Sequence, residues 1–423
     1  MQNEMVTTIW WIITAILVLD FIFEQYLDWL NGKQWKYGIP KVLTETVTQE
    51  KFNESKSYFI TNQRFSSLVS TLSLAAMLLM LTCHGFAWVD TLAGTITNQP
   101  VIKALLFFGI LALTADILTL PFQWYQTFVI EERFGFNKTT YRTFFIDKIK
   151  SWLVAAVLGG GLLALVVWIY EATGSWFWII AWIVIMLFSV FLTMFYTSTI
   201  LPLFNKLTPL ESGDLRTEIE TFAKKTDFRL ANIYVMDSSK RTSKANAFFS
   251  GLGRQKKIVL FDTLIKDHTT EELVAVLAHE IGHYKKQHTK INVLLSGIQS
   301  FIMLFILSVF IDKNSVWPQY FARVLGAEQP SFHLGILVYG LLYSPVSTLL
   351  GIGMNYISRK HEYEADRFAA IHYGANPLQE ALKKLSVNSL SHFNPHPAVV
   401  FIHYTHPSLV QRLKHLDNFK PNP

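Results

Sequence analysis

The chain has 423 residues, of which 51% are hydrophobic and only 16% charged, with 12 Trp, 33 Phe and a formal net charge of +6. So apolar a composition at this length excludes a low-complexity or disordered chain and points to a protein embedded in a membrane. The single cysteine, Cys83, excludes an intrachain disulfide and any cysteine-based metal site, and no basic stripe interleaved with aromatics suggests a nucleic-acid partner.

Seven apolar runs, at about 6–23, 66–89, 101–129, 152–170, 176–201, 291–311 and 334–357, are each long enough to cross a hydrocarbon layer roughly 30 Å thick. The first lacks a basic leading segment and a small-residue cleavage site, so it reads as a span rather than a removed leader. Lysine and arginine crowd the segments after spans 1 and 3 (Lys33, Lys36, Lys41, Lys51, Lys56, Arg64; Arg133, Lys138, Arg142, Lys148, Lys150) and are absent from 90–100 and 171–175. This asymmetry predicts an outside N-terminus, with 24–65, 130–151, 202–290 and 358–423 on the cytoplasmic side. The implied division is 1–201 (spans 1 to 5), 202–290 (an α+β insert), 291–357 (spans 6 and 7) and a cytoplasmic tail, 358–423.

Asp20, Glu24, His84 and Asp116 fall within or beside spans 1 to 3, where ionisable groups face protein or water. Helix-to-helix hydrogen bonding, or a place near an interface, is the expectation for the first three, and a polar chamber or path for Asp116. Pro121 predicts a kink. Glu131, Glu132 and Arg133 follow at the interface, where a solvated charge cluster is expected. Gly159-Gly160-Gly161 in span 4 permits either close helix approach or a flexible point.

In the insert, 211–225 reads as a helix and 230–237 as a strand. Ala245 to Ser250 and Lys257 to Phe261, on either side of a Gly251-Leu252-Gly253 turn, read as a β-hairpin. An edge strand there could receive an extended peptide by main-chain hydrogen bonds, which makes Asn246, with Ala247 and Phe248 beside it, the candidate substrate-binding residues.

Next comes His279-Glu280-Ile281-Gly282-His283, in a helix predicted to begin near Thr270 after a Thr N-cap and an acidic first turn. Four residues turn a helix by about 400°, so His279 and His283 stand one above the other and can offer two imidazole nitrogens to one Zn2+ ion, with Glu280 as general base. A third ligand is needed, and 359–367 supplies Glu362. Asp366, at i+4, shares its face and is expected to accept the free ring N–H of His279, whereas Glu364 lies about 200° round and is set aside. In the tail, His392, His396, His403 and His406 are too irregularly spaced to argue for a second metal. His406 is the exception, a candidate to stabilise an oxyanion, with Arg412 bracing Asp366 or Glu362 and counted among the candidate substrate-binding residues.

Taken together, these stretches resemble the integral-membrane CaaX prenyl endopeptidases, a family of seven-span zinc metalloproteases. The likeness is carried by Glu131 to Asn137, by Asn246-Ala247-Phe248-Phe249 with Ile258 to Leu264, by His279-Glu280-x-x-His283, by Glu362-x-x-x-Asp366 and by His406-Pro407 with Arg412. It implies zinc on His279, His283 and Glu362, Glu280 as base, and a helical barrel around an intramembrane chamber. It also implies cleavage after a prenylated cysteine in a C-terminal C-a-a-X sequence, often with a second, N-terminal cleavage. The expected partners are a prenylated or extended peptide and membrane lipid. A short loop between spans 6 and 7 and a tail without a dibasic retrieval signal favour a bacterial inner membrane over an endoplasmic-reticulum one. The competing functions are a general quality-control membrane protease and, more distantly, a transporter or receptor, for which Glu280→Gln would be silent.

Overall fold

The computed structural model describes residues 2–228, 230, 232–250 and 257–419. The first half is helical: α1 (Gln2–Lys33), α2 (Gln49–Thr82), α3 (Gly85–Ile96), α4 (Pro100–Tyr125), α5 (Tyr141–Val154), α6 (Gly161–Thr173), α7 (Phe177–Thr199) and α8 (Leu201–Phe204). Six helical stretches are long and apolar enough to cross a membrane: Asn3–Tyr37, Gln49–Thr82, Pro100–Glu131, Tyr141–Phe204, His288–Ile311 and Phe332–His372. Their outward surface carries exposed Leu19, Leu72, Leu118, Val157, Leu187, Leu294 and Leu349, which only a hydrocarbon surrounding accommodates at this density. This is an integral membrane protein.

The apolar run predicted at 66–89 is not one helix. Hydropathy continues across a break: α2 stops at Thr82, His84 takes φ 55°, and α3 starts at Gly85. A Cβ at Gly85 would lie 2.5 Å from Met80 Sδ, so a larger residue there would have to displace the Met80 side chain. Pro121 lies inside α4, which passes into a π-helical stretch at Gln126–Glu131. The triple glycine falls at the end of a second π-helical stretch, Ala155–Gly160; nothing lies within 4 Å of a Cβ built at Gly159 or Gly161, so no close helix approach is made there.

Of the ionisable groups singled out on the membrane helices, Asp20, Glu24 and Asp116 are paired, whereas the His84 ring lies beside Gly326 and makes no hydrogen bond among the described residues. Ser344 donates to Asp20 at 2.6 Å, and Glu24 meets His403 at 3.1 Å. Asp116 accepts from Gln123 (3.1 Å), Lys148 (3.0 Å) and Trp152 (2.7 Å). Glu131 departs from the solvated cluster expected of it. It is half-buried and accepts from Tyr58 Oη, Lys244 Nζ (2.8 Å) and Gln126 Nε2 (3.3 Å), while Glu132 and Arg133 are exposed.

The insert holds β1 (Leu207–Pro209), α9 (Asp214–Lys225), β2 (Asn232–Met236), β3 (Ala247–Ser250), β4 (Lys257–Phe261), α10 (Asp262–Asp267) and α11 (Thr270–Lys285). The sheet order is β1-β2-β4-β3, with β2 parallel to β4 and the other pairs antiparallel. The expected hairpin is therefore present and β3 is an edge strand; its turn, Gly251-Leu252-Gly253, lies outside the described residues.

The chain continues through α12 (His288–Ile311), α13 (Trp317–Val324), α14 (Phe332–His372), α15 (Ala375–Asn388), α16 (Pro397–His403) and α17 (Leu409–Asp417). The helix α14, about 60 Å long at 1.5 Å per residue, runs without interruption from the apolar stretch through residue 358 to Glu362 and Asp366. It packs against α11, whose Leu273, Val274, Leu277 and Ile281 are buried with Ile258 and Leu260 of β4 and Ile219 and Phe222 of α9. Burying each large aliphatic side chain contributes roughly 1.5–3 kcal/mol, which fixes α11 between sheet and membrane helix. Gly282 sets the spacing: its Cβ would come within 3.1 Å of the Ala365 backbone, so the two helices approach as closely as a hydrogen side chain allows.

Candidate metal centre

The helix α11 starts with a capping box, Thr269 accepting from Glu272 N while the Glu272 carboxylate accepts from Thr269 N. From that start, His279 and His283 fall on the face turned to α14. Their Nε2 atoms are 3.1 Å apart; His279 Nε2 lies 3.4 Å from Glu362 Oε2, and His283 Nε2 lies 3.1 Å from Glu362 Oε1. Donors held about 2.1 Å from a tetrahedral ion stand roughly 3.4 Å from one another, so the spacing fits one metal ion. Glu362 Oε2 is buried and makes no hydrogen bond, an unsatisfied acceptor that a cation would satisfy. Among the described residues this is the one cluster of three such donors.

The expected support is in place. His279 Nδ1 donates to Asp366 Oδ1 at 2.9 Å, which leaves the Nε2 lone pair free. Arg412 donates to both Asp366 oxygens, through Nε at 2.9 Å and Nη2 at 2.5 Å, and its Nη1 stands 3.6 Å from Glu362 Oε2. Asp366 is fully buried, so this bidentate pair replaces the solvation both charges have lost. Burial opposes charge on the Arg412 guanidinium, but Asp366 and Glu362 outweigh it and keep it protonated. Burial likewise works against the His279 imidazolium, yet Asp366 and Glu362 lift its pKa to about 9 without a metal. A metal ion would bind in competition with that proton.

His279, Glu280, His283, Glu362, His406 and Arg412 line a cavity of about 430 Å³ that also reaches Asn246, Ala247 and Phe248. Burial pushes the Glu280 carboxyl pKa up. His406 Nε2 points to Glu362 Oε1 at 3.3 Å with Nδ1 against Thr405 Oγ1 at 2.9 Å, and its side chain is 61% exposed. On β3, Phe261 N donates to Asn246 O, so by antiparallel alternation the main-chain groups of Ala247 and Phe249 face the free edge. Ala247 N is held meanwhile by the side chain of Asn246, at 2.8 Å.

The remaining tail histidines lie outside the cluster. His392 meets Asn31 O at 3.0 Å and stacks on Trp35, His396 caps α16, and His403 pairs with Glu24. The sequence reading missed His288, whose Nδ1 is 2.9 Å from His283 Nδ1, and Glu364, 3.1 Å from His288 Nε2. The available signal was a third histidine five residues beyond the motif, but helical periodicity does not carry it across the left-handed Gln287 (φ 59°).

Residues 29–206 match a family described as the CAAX prenyl protease N-terminal region, five membrane helices, and residues 209–420 match peptidase family M48. Curated relatives include the probable CAAX prenyl protease 1 of Schizosaccharomyces pombe, 36% identical over 89% of this chain and 82% of that protein. Others are CAAX prenyl protease 1 of Saccharomyces cerevisiae (34%; 96% and 94%) and its Homo sapiens homolog (30%; 95% and 93%). The crystal structure of S. mikatae Ste24p superposes with a TM-score of 0.90 at 33% identity, covering 97% of this chain and 99% of that one. The chain belongs to the CAAX prenyl protease family of M48 metallopeptidases.

Proposed function

We propose that the metal is zinc, one ion per chain, held by His279, His283 and Glu362, and that the enzyme hydrolyses the C-terminal peptide of prenylated C-a-a-X substrates. When bound, zinc polarises a carbonyl and acidifies water. Glu280 takes a proton from the attacking water and delivers it to the departing amine, while the water's hydroxyl joins the new carboxyl group, so the peptide bond is exchanged for one acid and one amine. His406 sits across the cavity to hold charge developing on the carbonyl oxygen, and Asp366 with Arg412 positions His279. The extended substrate adds to the free edge of β3 at Ala247 and Phe249, with Asn246 exchanging its own bond to Ala247 N for one to substrate and Phe248 contacting the side chains.

Seven spans are the preferred count. Support comes from a 3₁₀ turn at Gly174–Trp176, with Gly174 at φ 53°, inside the longest apolar stretch, and from α6 and α7 packing on one another across it. The division into 1–201, 202–290, 291–357 and 358–423 follows, with the insert and tail on the cytoplasmic side by their lysine and arginine content. The polar group of Asp116, Lys148 and Trp152 suits the wall of a hydrated chamber between spans.

The convergence of three residues, each with a donor atom within 3.4 Å of a donor of the other two, in a cavity that reaches an unpaired sheet edge, carries this reading. Cleavage of a farnesylated C-a-a-X peptide is measured beside its unprenylated twin, the Glu280→Gln variant and a chelated sample. Prenyl-dependent and zinc-dependent cleavage, absent from the variant, is expected. Equal cleavage of both peptides would point to quality-control proteolysis, and an active Glu280→Gln would refute the assignment of the base.

A further inference from the structure

His283 has no carboxylate on its outer nitrogen. It meets instead His288, the first residue of α12, turned back to the site by the left-handed Gln287 (φ 59°). His288 is 2% exposed, its Nδ1 lies 2.9 Å from His283 Nδ1, and its Nε2 lies 3.1 Å from Glu364 Oε2. Its ring is stacked on His361 at 3.9 Å and 10°, which locks its orientation. The hydrogen-bond inventory permits one consistent arrangement with both rings neutral. A carboxylate only accepts, so His288 Nε2 carries the proton toward Glu364; His288 Nδ1 is then an acceptor, and His283 must present Nδ1–H to it. That leaves the lone pair of His283 on Nε2, the atom that faces Glu362.

Resting on the metal-site reading above, we propose that His288 and Glu364 are positioning residues: a two-step relay that fixes the tautomer and ring orientation of His283 for metal binding. Three acidic residues of α14 then serve one centre. Glu362 faces it, Asp366 orients His279 directly, and Glu364, about 200° round the helix from Glu362, reaches it through His288.

The test is the zinc dissociation constant of the full-length, detergent-solubilised protein, measured by chelator competition, with the visible spectrum of the cobalt-substituted protein as a second readout. Outer-shell partners typically alter metal affinity about 10- to 100-fold, and His288→Leu is expected to weaken binding by that order and to change the cobalt spectrum. His288→Asn, which keeps an acceptor near the Nδ1 position, should recover much of the loss. A packing role alone would rank the two the other way, because leucine suits a buried site better than asparagine. Glu364→Leu, at a side chain 40% exposed, should weaken binding in the same direction and keeps the test open if His288→Leu does not fold. Parent-like affinity in His288→Leu or Glu364→Leu, or asparagine no better than leucine, would overturn the relay. A parent protein that binds no zinc would overturn the metal-site reading and the relay with it.

Discussion

The two histidines of α11 are one helical turn apart and serve one centre, yet they are held in different ways. Behind His279 stands a fully buried carboxylate, Asp366, clamped by Arg412, whose side chain is 11% exposed. Behind His283 stands a neutral ring, His288, whose carboxylate Glu364 is 40% open to solvent. The first support is part of the folding core, since removing either charge strands the other in a low-dielectric interior. The second is a hydrogen-bonded chain ending at the surface, where charge is screened and cheap to remove. Metal binding is thus secured on one side by an element the fold cannot lose and tuned on the other by one it can.

The contrast is broken most forcefully at Asp366. Asp366→Ala strips the buried Arg412 of its bidentate partner and leaves it only the longer 3.6 Å contact with Glu362, and should cost about 3–5 kcal/mol of folding stability by denaturant or thermal unfolding. Glu364→Ala should cost less than about 1 kcal/mol in the same measurement; equal losses would erase the distinction. Adding Arg412→Met to Asp366→Ala should return part of the lost stability, because the stranded charge is gone, and the double-variant cycle should show strong coupling. Salt sharpens the comparison further. Between about 0.05 and 0.5 M, the effect of Glu364→Gln on zinc affinity should shrink while that of Asp366→Asn persists, since screening reaches only the exposed group. The smallest effect on zinc affinity is expected from Thr269→Ala, which removes the cap of the shared helix. It should lower stability by about 1 kcal/mol and leave the zinc affinity of the folded protein unchanged, because both histidines are affected alike.

Much of this centre was legible because its parts obey local rules. The cap at Thr269, the apolar run of α11, the i,i+4 spacing of His279 and His283 and that of Glu362 and Asp366 all follow from helical periodicity. The strand Lys257–Phe261 was readable to the residue from its β-branched and aromatic run, and β3 lies at the edge of the sheet as expected. What escaped lay where the backbone leaves a regular period. The end of α2 at Thr82 was hidden because apolar composition continues past His84 into α3. His288 was hidden because one left-handed residue reverses its direction, and Glu364 was dismissed on helix geometry that is sound but ignores a partner from another helix. Glu131 was read as solvated because nothing in its own neighbourhood announces Tyr58 or Lys244, 73 and 113 residues away.

The most direct test of the centre is anomalous scattering at the zinc edge from crystals of the active, full-length protein. One peak is predicted within about 2.0–2.3 Å of His279 Nε2, His283 Nε2 and a Glu362 carboxylate oxygen. A peak held by other donors, or none in protein that still cleaves the farnesylated peptide, would contradict the assignment of this cluster as the catalytic metal site.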